Sequence, residues 1–137
     1  VTPVPWAARF GIDTLPRMSA DRTDVPGFAL SVADAVLEPV PLDPSQVVAG
    51  APEVSELVLS ESDDGRVVRG IWQMTPGVVT DTEVDELFVV HSGRATIEFA
   101  DGTVLEVGPG DAAVLSAGAQ TRWTVHETLR KVYQATV

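Results

Sequence analysis

The residues best equipped for chemistry lie in the second half of the chain. Asp81, Glu83, Asp85 and Glu86 crowd one short stretch, the single lysine Lys131 stands two positions before the single tyrosine Tyr133, and His91 and His126 are the only histidines. In the run ELFVV, the two-residue period of a strand puts Glu86 on one face with Phe88 and Val90. A carboxylate there is either a polar anchor or general base whose pKa burial raises, or a strand-end acid paired with an arginine such as Arg94 or Arg122. Glu83 and Asp85 then share the opposite face, where Glu83, Asp85 and Glu86 offer a weak divalent-cation site or a solvated acidic loop, the latter being expected. His91 falls with Leu87 and Val89, and His126 opposite Thr121 and Trp123, so neither is predicted to face an interior. Trp72, Phe88, Trp123 and Tyr133 either fill a core or line a pocket in which Thr121 and Glu86 give direction. Lys131 can act as an amine or proton donor, or pair with Glu127 or an inner carboxylate. No hydroxyl nucleophile stands with a histidine in a recognisable triad pattern.

The elements that must position these groups are short strands. SELVLS and RVVRGIWQM flank Asp64-Gly65, a hairpin signal, and Val68, Trp72 and Met74 share one face. Thr75 to Gly77 turns the chain into VVTDTEV, and Ser92-Gly93 is predicted to turn ELFVV into RATIEF. Asp101-Gly102, Gly108-Pro109-Gly110 and Ser116 to Ala119 mark further corners, and Glu127-Thr128 is expected to separate QTRWTVH from LRKVYQAT. Turns this regular, with one-sided alternation and no long helix after Ser55, predict an all-β antiparallel sandwich or barrel. Residues 1–45 are proline-rich and read as an arm packing on the barrel or on a partner subunit, with 46–137 as the domain proper; Phe28 to Leu37 reads as a short helix or an edge strand.

Composition excludes several classes of function. The 137 residues carry a net charge of −11, with 9 basic against 20 acidic side chains, so there is no footprint for nucleic acid or for an anionic membrane. The absence of cysteine removes disulfides, thiolate ligands and a thiol nucleophile, and suits a cytoplasmic setting. No apolar run approaches the length of a membrane span, and no signal pattern opens the sequence.

The stretch from Asp85 to Val125 resembles the cupins, small double-sheet jelly rolls. Glu86 and Gly93 match the glutamate and closing glycine of the first cupin motif, and Gly110 and Gly118 match the glycines of the second. GIWQMTPG, Gly50, SDDG and RWTVHETLRKVY over about residues 40–137 are similar to the single-domain cupins grouped with ureidoglycine aminohydrolase. The resemblance implies an antiparallel jelly-roll barrel. In metal-binding cupins three histidines join the glutamate; here those places hold Thr80, Thr82 and Thr121. The expectation is therefore a barrel with no metal ligand set and no cofactor. Three functions follow as expectations. One is binding of a small polar metabolite between Trp72, Glu86, Phe88, Thr121 and Trp123. Another is an aminohydrolase-, isomerase- or lyase-like enzyme with Glu86 as base and Lys131 or Tyr133 as acid. The third is a non-catalytic sensing or interaction module. A homodimer is expected in each case, to manage exposed strand edges.

Overall fold

A computed structural model describes residues 26–137. Nine strands follow in order: β1 Glu38–Val40, β2 Val47–Ala49, β3 Val54–Glu61, β4 Val67–Met74, β5 Gly77–Thr82, β6 Asp85–Phe99, β7 Val104–Val107, β8 Ala112–Leu115 and β9 Gln120–Thr136. All pairings are antiparallel. One leaf runs β1-β3-β4, the second half of β9, the first half of β6, then β8. The other runs β2-β5, the first half of β9, the second half of β6, then β7. β6 and β9 thus belong to both leaves and curl the sheet into a jelly-roll barrel. The only helical element is a single 3-10 turn, Pro44–Gln46, among the described residues. The first 25 residues of the expected arm lie outside the described residues.

The long strands correct two predicted turns. Ser92-Gly93 and Glu127-Thr128 do not end strands; they are bulges within β6 and β9, where the pairing register shifts between Val90 and Ala95. Gly93 has φ +86°, and a Cβ there would lie 2.0 Å from the Thr128 carbonyl oxygen, so only glycine lets β6 bend this closely against β9. In β6 the irregularity also flips parity: Glu86, Phe88 and Val90 face inward before it, Ala95 and Ile97 after it. In β9 three consecutive exposed residues, His126, Glu127 and Thr128, keep parity unchanged, so Lys131 and Tyr133 face inward with Thr121 and Trp123. The remaining corners are turns as read, with glycines at positive φ at Gly65 and Gly102.

The inner faces supply the core, in which Val68, Met74, Phe88, Val90, Ile97, Leu115 and Leu129 lose essentially all solvent contact. Phe28 to Leu37 forms neither helix nor strand. It is fastened instead by Arg130, whose Nη1 donates to the carbonyls of Val32, Ala33 and Ala35 while its Nε donates to Gln73. Arg130 alternates with Lys131 along β9 and so holds this segment on the outer face of the first leaf. The chain then pairs β1 with β3 and, after Pro41, Leu42 and the 3-10 turn, pairs β2 with β5. It therefore bridges the two leaves as a strap. Asp43 caps the turn by accepting from the Ser45 amide at 2.9 Å, and Gln46, buried, donates Nε2–H to the Thr80 carbonyl at 3.0 Å.

Candidate functional site

Among the described residues, three carboxyl side chains and one amine sit inside the barrel: Glu56 at 0% exposure, Glu83 at 3%, Glu86 at 3% and Lys131 at 2%. Charged groups this deeply buried must be paired or neutral. The Lys131 ammonium donates to Glu86 Oε2 at 2.6 Å. Its Nζ also lies 4.4 Å from the Phe88 ring centroid, 4.6 Å from Trp72 and 4.8 Å from Trp123, so three π faces surround it. Register explains the gathering: Lys131 pairs with Trp72 on one side and Val90 on the other, and Trp72 pairs in turn with Glu56. The rings pack on one another as well, Trp72 to Trp123 at 5.9 Å and Phe88 to Trp123 at 5.7 Å.

Glu83 lies in the short link between β5 and β6, where strand alternation does not apply. This corrects the expected solvated acidic loop: Glu83 turns inward while Asp85 stays exposed and accepts from the Ala117 amide. Glu83 Oε1 accepts from the Thr121 hydroxyl at 2.6 Å and from the Trp123 indole at 2.9 Å. Burial pushes the Glu83 pKa up and the neighbouring Glu86 adds to the rise; the hydrogen bonds and Lys131 oppose it.

Glu56, on β3, is the group that sequence reading missed. Neither carboxyl oxygen makes a hydrogen bond of ordinary geometry, and Glu86 Oε1 is in the same position. Burial raises the Glu56 pKa from 4.5 to about 8; the nearby Tyr133 hydroxyl and Lys131 hold that rise back, while Glu86 adds to it. Glu56 is therefore a carboxylic acid at neutral pH, poised to lose its proton just above it. A signal was present in SELVLS, where Glu56 alternates with Val54 and Val58 on what proves to be the inner face.

The expected site residues Trp72, Glu86, Phe88, Thr121, Trp123, Lys131 and Tyr133 all face the interior and are buried. Glu86 is paired with Lys131, not with an arginine; Arg94 meets Glu127 at the surface at 3.5 Å. His91 and His126 are exposed, His126 with Nε2 2.7 Å from the Thr96 hydroxyl. A metal of the cupin type does not fit this donor set. No imidazole faces inward, Lys131 stands among the carboxyls, and among the described residues no three His, Cys, Asp or Glu side chains converge as ligands.

A small pocket of about 40 Å³ lies under the strap, bounded by Leu42 and Gln46 above and by Glu56, Trp72, Met74 and Asp81. A larger hollow of about 610 Å³ lies against Pro39, Pro41 and Pro52 and is lined by one charged residue, Glu53. The chemistry therefore sits at the smaller space.

Fold and interior together define a cupin. The chain belongs to the EutQ-like cupin domain family, whose profile matches residues 61–133, more than half of the sequence. Among solved structures it is similar to a protein of unknown function of the DUF861 family from Pseudomonas syringae pv. tomato, at 29% identity and a TM-score of 0.71. That match covers 78% of this chain and 46% of the other, so the chain corresponds to about half of that protein. The EutQ protein of Clostridium difficile aligns at 20% identity and a TM-score of 0.56, covering 71% of this chain and 80% of that one. The Cnp3 cupin domain of Schizosaccharomyces pombe aligns at 12% identity and a TM-score of 0.59, covering 80% and 74%. The last two show the fold alone. No curated protein matches the chain. Among the described residues, no helix is long and apolar enough to cross a membrane.

The Glu56 assignment has a consequence for stability. The unfolded chain loses this proton near 4.5 and the folded chain keeps it to about 8, so the proton's stabilising contribution is complete below the first value and is lost as pH rises toward the second. Glu83, raised in the same direction, adds to the decline. Urea midpoints from about pH 5 to about pH 9 are expected to fall and then level off. Glu56→Gln is expected to flatten the fall; an unchanged slope in that variant refutes the assignment.

Proposed function

We propose that this domain binds a small polar metabolite under the strap at the barrel mouth, without a tightly held metal. The supporting observation is Glu56: a fully buried carboxyl, lacking a regular hydrogen bond, on the wall of a small, partly open cavity beside Trp72. Binding sites pair an apolar wall with a few such directing polar groups. A drug-sized ligand needs several hundred Å³, against about 40 Å³ here. A larger metabolite therefore requires the strap between Val40 and Gln46 to swing away, a movement limited on this side by the Gln46–Thr80 hydrogen bond.

An enzymatic reading is favoured by one observation, an acid whose pKa of about 8 suits proton transfer near neutrality. In that reading Glu56, with Tyr133 beside it, replaces Glu86 as the proton-transfer group, because Lys131 already engages Glu86 at 2.6 Å. The resemblance to ureidoglycine aminohydrolase points to C–N chemistry, but that activity depends on a metal this donor set does not fit. A homodimer belongs to the same proposal, since Leu87, Val89 and Val114 leave an apolar outer face exposed on neighbouring strands.

Thermal unfolding of the full chain against a metabolite library tests the binding reading. At least one compound is expected to raise the melting temperature, with Glu56→Gln reducing that rise by most of its size. A library without effect overturns it. Sedimentation at tens of micromolar reads the dimer directly, and a monomer there removes that part.

A further inference from the structure

Resting on the metabolite-binding reading, we infer that the cavity under the strap selects a compact cation rich in N–H donors, an alkylammonium, over a carboxylate or a neutral amide. The argument is a count of hydrogen-bonding capacity. Most side-chain donors inside the barrel are committed: Lys131 Nζ to Glu86, the Thr121 hydroxyl and Trp123 indole to Glu83, and the Gln46 amide to the Thr80 carbonyl; the buried Thr82 hydroxyl and the Tyr133 hydroxyl beside Glu56 do not line the cavity. Glu56 and Glu86 Oε1 keep accepting capacity that no regular donor fills, and that of Glu56 becomes complete when it gives up its proton. Of these, Glu56 lines the cavity, and the half-buried Asp81 lines it from β5. A ligand filling this space gains by bringing donors and loses by bringing another acceptor.

Charge points the same way. Among the described residues the interior holds one ammonium, and Glu86 already pairs with it. An anion in the cavity would meet the Asp81 carboxylate and, among the described residues, no cation on the lining. The barrel also shows how it accommodates an ammonium, since Lys131 rests among Trp72, Phe88 and Trp123 beside a carboxylate. Trp72 lines the cavity too, and Met74 and Leu42 complete an apolar wall for a short alkyl chain.

Size sets the probe. A site of about 40 Å³ holds about three groups of water size, which is ethylammonium. Three heavy atoms reach at best about millimolar affinity, so titration runs to tens of millimolar at fixed ionic strength. Binding a cation also ionises Glu56, whose surroundings are Tyr133 and Lys131 from β9, Glu86 from β6 and Asp81 from β5. Affinity therefore rises as pH approaches 8, while the amine itself stays protonated to about 10.4 by analogy with lysine.

Calorimetric titration of the full chain with ethylammonium, acetate and acetamide tests this. The expected result is saturable ethylammonium binding, with proton release that varies the observed heat between buffers, and no saturation by acetate or acetamide. Glu56→Gln weakens ethylammonium by at least about tenfold. If that variant does not fold, Asp81→Asn provides the comparison and is also expected to bind more weakly. Binding of acetate or acetamide in place of ethylammonium overturns the cation class and leaves metabolite binding standing. A lack of binding by all three, when the library does yield a ligand, also overturns the cation class. Silence of both the three probes and the library removes both readings.

Discussion

The Lys131–Glu86 pair is the constraint on which the rest of the interior depends. An ammonium cannot be left unpaired among Trp72, Phe88 and Trp123, so the fold must deliver a carboxylate to it, and does so at 2.6 Å. That delivery needs the β6 irregularity, which sets Glu86 inward on one side and Ala95 inward on the other. It also needs β9 to keep its parity past His126 to Thr128. Once Glu86 is used in this way, Glu56 is left with Tyr133 and with Lys131 at a distance, and burial keeps it protonated. One ion pair thus fixes which carboxyl meets the lysine and which is left to burial.

The same arrangement explains why this barrel departs from metal-binding relatives of its fold. Of the three places that the resemblance to metal-binding cupins gives to histidine, Thr82 and Thr121 are buried and Thr80 is partly exposed, and Thr121 donates to Glu83. A cation is still present at the centre, but the chain supplies it as Lys131. The strap lies over this end of the barrel. The strap ties β3 of one leaf to β5 of the other, and Arg130 fastens the preceding segment to the outer face.

The fold was legible in the sequence because strand periodicity and turn residues are local signals. Asp64-Gly65 and Asp101-Gly102 form the turns they encode, and Glu86, Phe88 and Trp123 face where alternation puts them. What was not legible depended on non-local geometry. Ser92-Gly93 looks like a turn, yet it is a bulge, because the chain continues in extended form alongside β9 and glycine serves close backbone approach. Glu83 escaped because a two-residue link between strands breaks the alternation used to place it. Glu56 escaped because one glutamate among SELVLS is indistinguishable from a solvated one until β4 and β9 bring Trp72 and Lys131 alongside.

The most direct test of this account is a double-mutant cycle on Lys131 and Glu86 by urea unfolding. Lys131→Met and Glu86→Gln each leave one buried partner without its counterpart, and each is expected to cost about 3–5 kcal/mol. The double variant is expected to cost far less than the two together, because no uncompensated charge remains. Additive effects, agreeing within about 0.5 kcal/mol, would contradict the claim that this pair organises the barrel interior.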